Sequence, residues 1–478
     1  MKKLTKLVAL LLALVMVLAL FAGCTKPAED KTPAPEENTP AQEEQQQPEE
    51  TPEETPEEQP AEPKNNKLVY ATSAFGQKFS PFFATTAYDQ EVVDLTQGGL
   101  LAADRGGNII RNGIEGETVN YNGTDYTYYG MGNVEVVQND DGTVDYNLTM
   151  RDDIKFSDGT PADIDDVIFG IYVLADPTYD GAATIYAQPI EGIQEYYHSQ
   201  AYKYNLILEA GRDGSSEFFT ADEGAAYWAA YDAAGEIFAQ EIIDYCKNEG
   251  HGTTDAECAS AWGFDIPENG TAADLWKAIT EKYGNVIADM EGETAGSSLQ
   301  HMFLFTMRDL IDEQLGDKAE DYKALVATSS VDSISGVIRT GDYSLTIHMT
   351  EFDATSIYNM SFTVVPLHYY GDEAQYDYEA HKFGFPKGDL SIVREKTTQP
   401  LGCGPYVFDS YANGVVTLKA NPYYFEGAPV TETLLMQEAV DSDYVPGIIT
   451  GTFDVAGPSL SNDTVAAIQD GNSNGELT

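Results

Sequence analysis

Three carboxylates crowd into four positions, Asp163, Asp165 and Asp166, at the end of the stretch Phe156-Ser157-Asp158-Gly159-Thr160-Pro161-Ala162-Asp163. Paired carboxylates are the apparatus of glycoside hydrolysis, one giving a proton while the other attacks or activates water. The same residues at the head of an apolar helical run have a simpler use, because the free N–H groups and the dipole of a helix start favour negative charge. Asp158-Gly159 reads as a turn and Pro161 suits an early helix position, so capping accounts for all three carboxylates. Cys246, His251 and Cys258 carry zinc-ligating atoms, but their spacing fits no zinc finger and a fourth ligand is absent. In an oxidising compartment the two cysteines, flanking the turn Gly250-His251-Gly252, suit a local disulfide. Asn139-Asp140-Asp141-Gly142-Thr143 lacks the remaining ligands of a calcium loop and reads as a hairpin turn. His348 alternates with apolar residues in a strand and reads as solvent-facing, while His301 and His381 have no partner at ligand spacing. His368 follows an apolar run with no nucleophile motif nearby and reads as a structural or cleft-edge residue. This chemistry points away from an enzyme, a metal centre or a cofactor and towards non-covalent binding.

The elements that position these residues begin outside the folded body. Lys2 and Lys3 precede the apolar run Leu7 to Phe21, which is shorter than the ~20 residues that span a bilayer. With Ala22-Gly23-Cys24 behind it, the segment 1–23 has the layout of a signal peptide and resembles a bacterial lipobox, Phe21 standing where an aliphatic residue is usual. Cleavage before Cys24 and lipidation of its thiol would hold the protein at the outer face of the membrane. Residues 24–66 are rich in Pro, Glu, Gln and Thr, with too little apolar surface to fold, and read as a disordered acidic tether. A net charge of −53 sets the mean field against nucleic acid.

The body, 67–478, opens with a strand at Leu68 to Thr72, a loop through Ser73 to Phe82 and a helix across Tyr88 to Gly98. Apolar spacing predicts helices over Ala221 to Lys247, Ala272 to Tyr283 and Ser298 to Val326. They suggest a helical insertion at about 190–330. Strands follow at Val337 to Arg339 and Tyr343 to Met349, then over Glu432 to Ala439 and Phe453 to Val455, with helices at Asp443 to Thr450 and Asn462 to Gln469. Between them lies Thr397 to Ala428, where Gly402, Gly404 and Pro405 make a tight entrance to a hairpin. Its two runs, Tyr406 to Phe408 and Val415 to Leu418, flank the turn Ala412-Asn413-Gly414.

This last stretch resembles the "GTGPY…F…L…NP.YW.G.P" segment of the family 5 extracellular solute-binding proteins, the oligopeptide and dipeptide class of ABC-transporter receptors. Cys403 replaces the family's Thr and Phe425 its Trp. Phe156 to Phe169 is similar to the family's "F.DGTP.TA.DV.FS" block, Val364 to His368 to its "IVPKH" block and Gly451 to Ala456 to its "GE.D.A" block, all in family order. The resemblance implies an α/β, periplasmic-binding-protein-like class II bilobal fold, with the first lobe and its subdomain present. Family members run on well past the fourth block, so the second lobe is expected to be largely missing from this sequence. The resemblance also implies capture of a peptide or similar small solute for an ABC permease, outside the cytoplasm and at the membrane. A surface interaction or sensory lipoprotein on the same fold is the alternative. For ligand contacts the resemblance points to Phe75, Gly76, Phe79 and Ser80 in the loop after the first strand. It adds Gly402, Cys403 and Gly404, whose backbone is expected to be free to pair with an extended peptide.

Overall fold

The computed structural model describes residues 66–287, 290, 307–472 and 475. The expected leader, the lipidation site Cys24, the tether up to residue 65 and the start of the helix expected from Ser298 lie outside the described residues. Among the described residues no helix is long and apolar enough to cross a membrane.

From its N-terminal side the body consists of β1 (Lys67–Thr72), α1 (Ala87–Thr96), a hairpin of β2 (Glu117–Tyr121) and β3 (Thr124–Tyr128), β4 (Gly132–Gln138), β5 (Val144–Met150) and α2 (Ile164–Ala175). A short strand β6 (Gln200–Tyr202) leads into the helices α3 (Lys203–Ala210), α4 (Ala221–Asn248), α5 (Asp255–Ala261), α6 (Ala272–Tyr283) and α7 (Met307–Leu315). The chain returns through β7 (Leu325–Ala327), β8 (Val337–Gly341) and β9 (Ser344–Met349). It then makes β10 (Tyr406–Ala412), β11 (Val415–Ala420), β12 (Thr433–Glu438), α8 (Asp441–Ile449) and α9 (Asn462–Gly471).

Two four-stranded sheets carry the α/β architecture, as expected from the sequence. One runs in the order β1-β12-β11-β10 and joins the two ends of the body, β1 lying parallel to β12 from Lys67 beside Thr433 to Thr72 beside Glu438. Side chains alternate across it. Leu434, Met436, Val416 and Leu418 pack with Phe75 and Phe79 on one face, while Val69, Ala71 and Leu435 meet Tyr444 and Phe453 on the other. The β10–β11 turn puts Asn413 and Gly414 at φ 54° and 75°, the left-handed pair that a two-residue hairpin needs. The second sheet, β4-β5-β9-β8, lies over α2 in the largest core, with Val167, Ile168 and Phe169 fully buried.

Two of the three carboxylates start helix α2, while the Asp165 side chain, also expected to serve the helix start, accepts from Arg339 Nε and the Tyr376 hydroxyl, each at 2.8 Å. Asp163 caps the helix, its side chain accepting from the Asp165 N–H at 2.9 Å, and Asp166 reaches back to the Asp163 N–H at 3.0 Å. Pro161 lies ahead of the cap, pairing with Lys155, so its expected place inside the helix is corrected. The helical segment has a core of its own, built from Tyr231, Phe238, Ile242, Leu275 and Trp276. At Gly235 a Cβ would fall 2.0 Å from the Trp276 ring, so only glycine lets α4 and α6 approach this closely. The segment's two ends are tied where β6 pairs with β7, Gln200 opposite Ala327 and Tyr202 opposite Leu325. A helix to Val326 is therefore corrected: the backbone there closes this neck as a strand. His348 stands on the outward face of β9, alternating with buried Leu345, Ile347 and Met349 as expected, and there its Nδ1 sits 2.6 Å from Asp145 Oδ1 across the β5–β9 ladder.

Candidate functional site: a groove along an unpaired strand edge

Strand β10 ends its sheet, with β11 on one side and no strand among the described residues on the other. That free edge opens onto a groove of about 580 Å³, lined by Val407, Phe408, Asp409, Ser410 and Tyr411 on the strand side. The opposite wall includes Gln77, Phe79, Ser157, Tyr369 and the segment 398–401. The ladder slips between Phe408 and Ser410, leaving Asp409 at a bulge on the groove side. Its carboxylate lies 2.5 Å from Lys419 Nζ, an exposed pair of small energetic weight.

The far wall is a loop fixed by distant carboxylates. Glu438 Oε1 accepts from the Phe75 N–H and from the Tyr411 hydroxyl, each at 2.9 Å, joining the loop to β12 and β10 at one point. Burial and the neighbouring Glu438 carboxylate raise the Tyr411 phenol above its ordinary pKa, so it stays a donor. Buried Asp89, in the first turn of α1, accepts from the N–H groups of Gln77 at 3.2 Å and Lys78 at 3.3 Å. A Cβ at Gly76 would lie 2.6 Å from Asp89 Oδ2, which explains the glycine. The Thr397 carbonyl takes the next two N–H groups, of Phe79 at 2.8 Å and Ser80 at 3.1 Å. The Phe79 ring packs between Phe75, Phe408 and Tyr411 at centroid separations of 5.5, 5.3 and 5.8 Å.

The residues expected to touch ligand thus have different fates. Phe75, Phe79 and Ser80 turn inward and only Gly76 is exposed; Phe79 lines the groove while belonging to the core beneath it. Gly402, Cys403 and Gly404 are buried, and the expectation that their backbone is free is corrected. The Gly404 N–H donates to Thr96 O at 3.0 Å, Gly402 O accepts from the Ser157 N–H at 2.9 Å, and Gly404 O accepts from Asn421 Nδ2 at 2.8 Å. The Cys403 thiol lies 3.7 Å from Met131 Sδ, and burial pushes it up to about 12. This entrance is packed against the end of α1 and serves to hold β10. Gln77, Phe408, Asp409, Ser410, Tyr411, Tyr369 and Gln399 were not expected; the one sequence signal was that Phe408 to Tyr411 follow closely on the glycine-rich entrance, and nothing local marked Gln77, Tyr369 or Gln399. His368, expected as a structural or cleft-edge residue, has its Nε2 2.8 Å from Asp158 Oδ2.

Behind this wall lies a titrating cap. Asp166 accepts from the Leu367 N–H at 2.9 Å as well as from Asp163, and burial lifts its carboxyl to about 7. Its folded pKa exceeds its unfolded one. The stability it contributes is therefore complete below about pH 4 and is lost as the pH rises through about 7. The urea midpoint of the wild type is expected to fall between pH 5 and pH 8 relative to that of Asp166→Asn. Equal pH slopes in the two proteins would contradict this assignment.

No protein-family model matches the chain, and no curated protein matches it. Solved structures similar to it include the oligopeptide-binding protein AppA of Bacillus subtilis in complex with a nonapeptide, at 12% identity and a TM-score of 0.39, covering 84% of this chain and 45% of that one. OppA of Burkholderia pseudomallei is similar at 10% identity and a TM-score of 0.41, covering 85% and 49%. NikZ of Campylobacter jejuni in complex with Ni(L-His) is similar at 12% and 0.37, covering 84% and 45%. The chain spans about half the length of these proteins.

Proposed function

We propose that this protein captures a short peptide, or a solute with a peptide-like backbone, along the free edge of β10 and hands it to an ABC permease. In this reading it works outside the cytoplasm, anchored through lipidated Cys24. The observation that carries the proposal is the groove itself: the edge of β10, with unclaimed ladder positions and Phe408 among its residues, borders a space of about 580 Å³ that Phe79 and Tyr369 also line. An extended chain laid there adds a strand to the sheet through main-chain hydrogen bonds, while the aromatic wall buries alternate side chains. The ordered sequence blocks support the same reading and add the permease. No bond is made or broken.

The test is a thermal-shift screen of the purified protein with short peptides, each followed by its backbone N-methylated counterpart. A peptide at about 100 times its Kd should stabilise the protein by about 2.7 kcal/mol. Each N-methyl group facing β10 removes a donor and is expected to weaken binding by about an order of magnitude. Equal binding of methylated and unmethylated peptides would rule out strand addition. Peptide binding without uptake through any permease would favour the sensory alternative.

A further inference from the structure

Cys246 lies in the last turn of α4 and Cys258 in the first turn of α5, and both side chains are fully buried in one hydrophobic core. The connection 249–254 folds back sharply between them. The His251 N–H donates to the Cys246 carbonyl at 2.9 Å, the Gly250 N–H donates to Lys247 O at 3.2 Å, and Lys247 Nζ reaches Asp255 Oδ1 at 2.5 Å. A Cβ on Gly252 would lie 2.9 Å from Cys258 Sγ, so the turn is laid directly on that thiol. The hydrogen-bond partner of the Cys258 side chain is Cys246, and both are thiols in this structure. The third described cysteine, Cys403, belongs to another core beside Met131 and does not compete.

We propose that Cys246 and Cys258 are joined as a disulfide that staples the end of α4 to α5, formed against a small-molecule disulfide during folding. One protein thiolate attacks that disulfide and expels half of it as a thiol, leaving a mixed disulfide. The second protein thiolate then attacks the protein sulfur and expels the other half. The two cysteines together lose two electrons and two protons, and the small disulfide becomes two thiols. Burial, with Cys246 beside it, pushes the Cys258 thiol up, so thiolate is scarce in the folded core and the exchange precedes burial. The bond stabilises by shortening the unfolded chain's reach, as an oxidising compartment allows.

The test is to refold the full chain in a buffer of oxidised and reduced glutathione, or in dithiothreitol, alkylate under denaturant, and digest with trypsin, which cuts after Lys247 and separates the two cysteines. Oxidative refolding should give one cross-linked pair of peptides carrying Cys246 and Cys258, lighter by two hydrogens than their sum. The melting temperature should be several degrees lower in dithiothreitol. C246A/C258A should melt at one temperature in both buffers. Full alkylation of both cysteines after oxidative refolding, a link to Cys403, or a buffer-dependent melt in C246A/C258A would each overturn the proposal.

Discussion

Replacing Phe79 by alanine is expected to cost about 3–5 kcal/mol of folding stability, a loss of about 4–6 °C in melting temperature for a body of this size. The ring is 1% exposed and touches the rings of Phe75, Phe408 and Tyr411. Its removal leaves a cavity bounded by β10 on one side and, on the other, by a loop whose backbone is pinned to Asp89, Glu438 and Thr397. Pinned walls relax little, which places the cost towards the upper part of the range. The exposed Phe352 is a matched control, and Phe352→Ala should stay within about 0.5 kcal/mol of wild type. Chemical denaturation of the two variants checks the prediction. Equal midpoints would mean that Phe79 stands free in the groove.

The second large effect belongs to Gly404. A Cβ at this position would lie 2.6 Å from Thr96 C and 2.7 Å from Gln97 O, both backbone atoms at the end of α1. A side chain's far end can swing aside, but backbone cannot. Gly404→Ala should therefore cost about 1–3 kcal/mol through displacement of the hairpin entrance. The same displacement strains the Gly404-to-Thr96 hydrogen bond that positions β10, so peptide affinity should fall together with stability. At Gly457 a Cβ meets nothing within 4 Å, and Gly457→Ala should leave the denaturation midpoint nearly unchanged. A Gly404→Ala protein as stable as Gly457→Ala would contradict the packing described.

What the sequence made legible was local. Asn413-Gly414 between two β-rich runs announced the hairpin, because few residues accept two positive φ values in succession. Asp163 and Asp166, three apart, announced the cap of α2, and the helix at Ala272–Tyr283 followed from its apolar spacing. What stayed hidden depended on partners remote in the chain. The Phe75 amide finds Glu438, 363 positions away, and no local pattern encodes that meeting. Gly402 to Gly404 looked free because the groups that engage them, on Thr96, Ser157 and Asn421, come from separate segments. The groove was hidden for the same reason: an unpaired edge of β10 is a property of strand order, which the hairpin alone does not determine.

The most direct test of strand addition at β10 is amide hydrogen exchange, recorded with and without a peptide that raises the melting temperature. Groove binding predicts slowed exchange in residues 406–412 and in the facing loop from Gln77 to Ser80, with α4 and α6 unchanged. Protection confined to other segments, with 406–412 exchanging as fast as in the free protein, would contradict it.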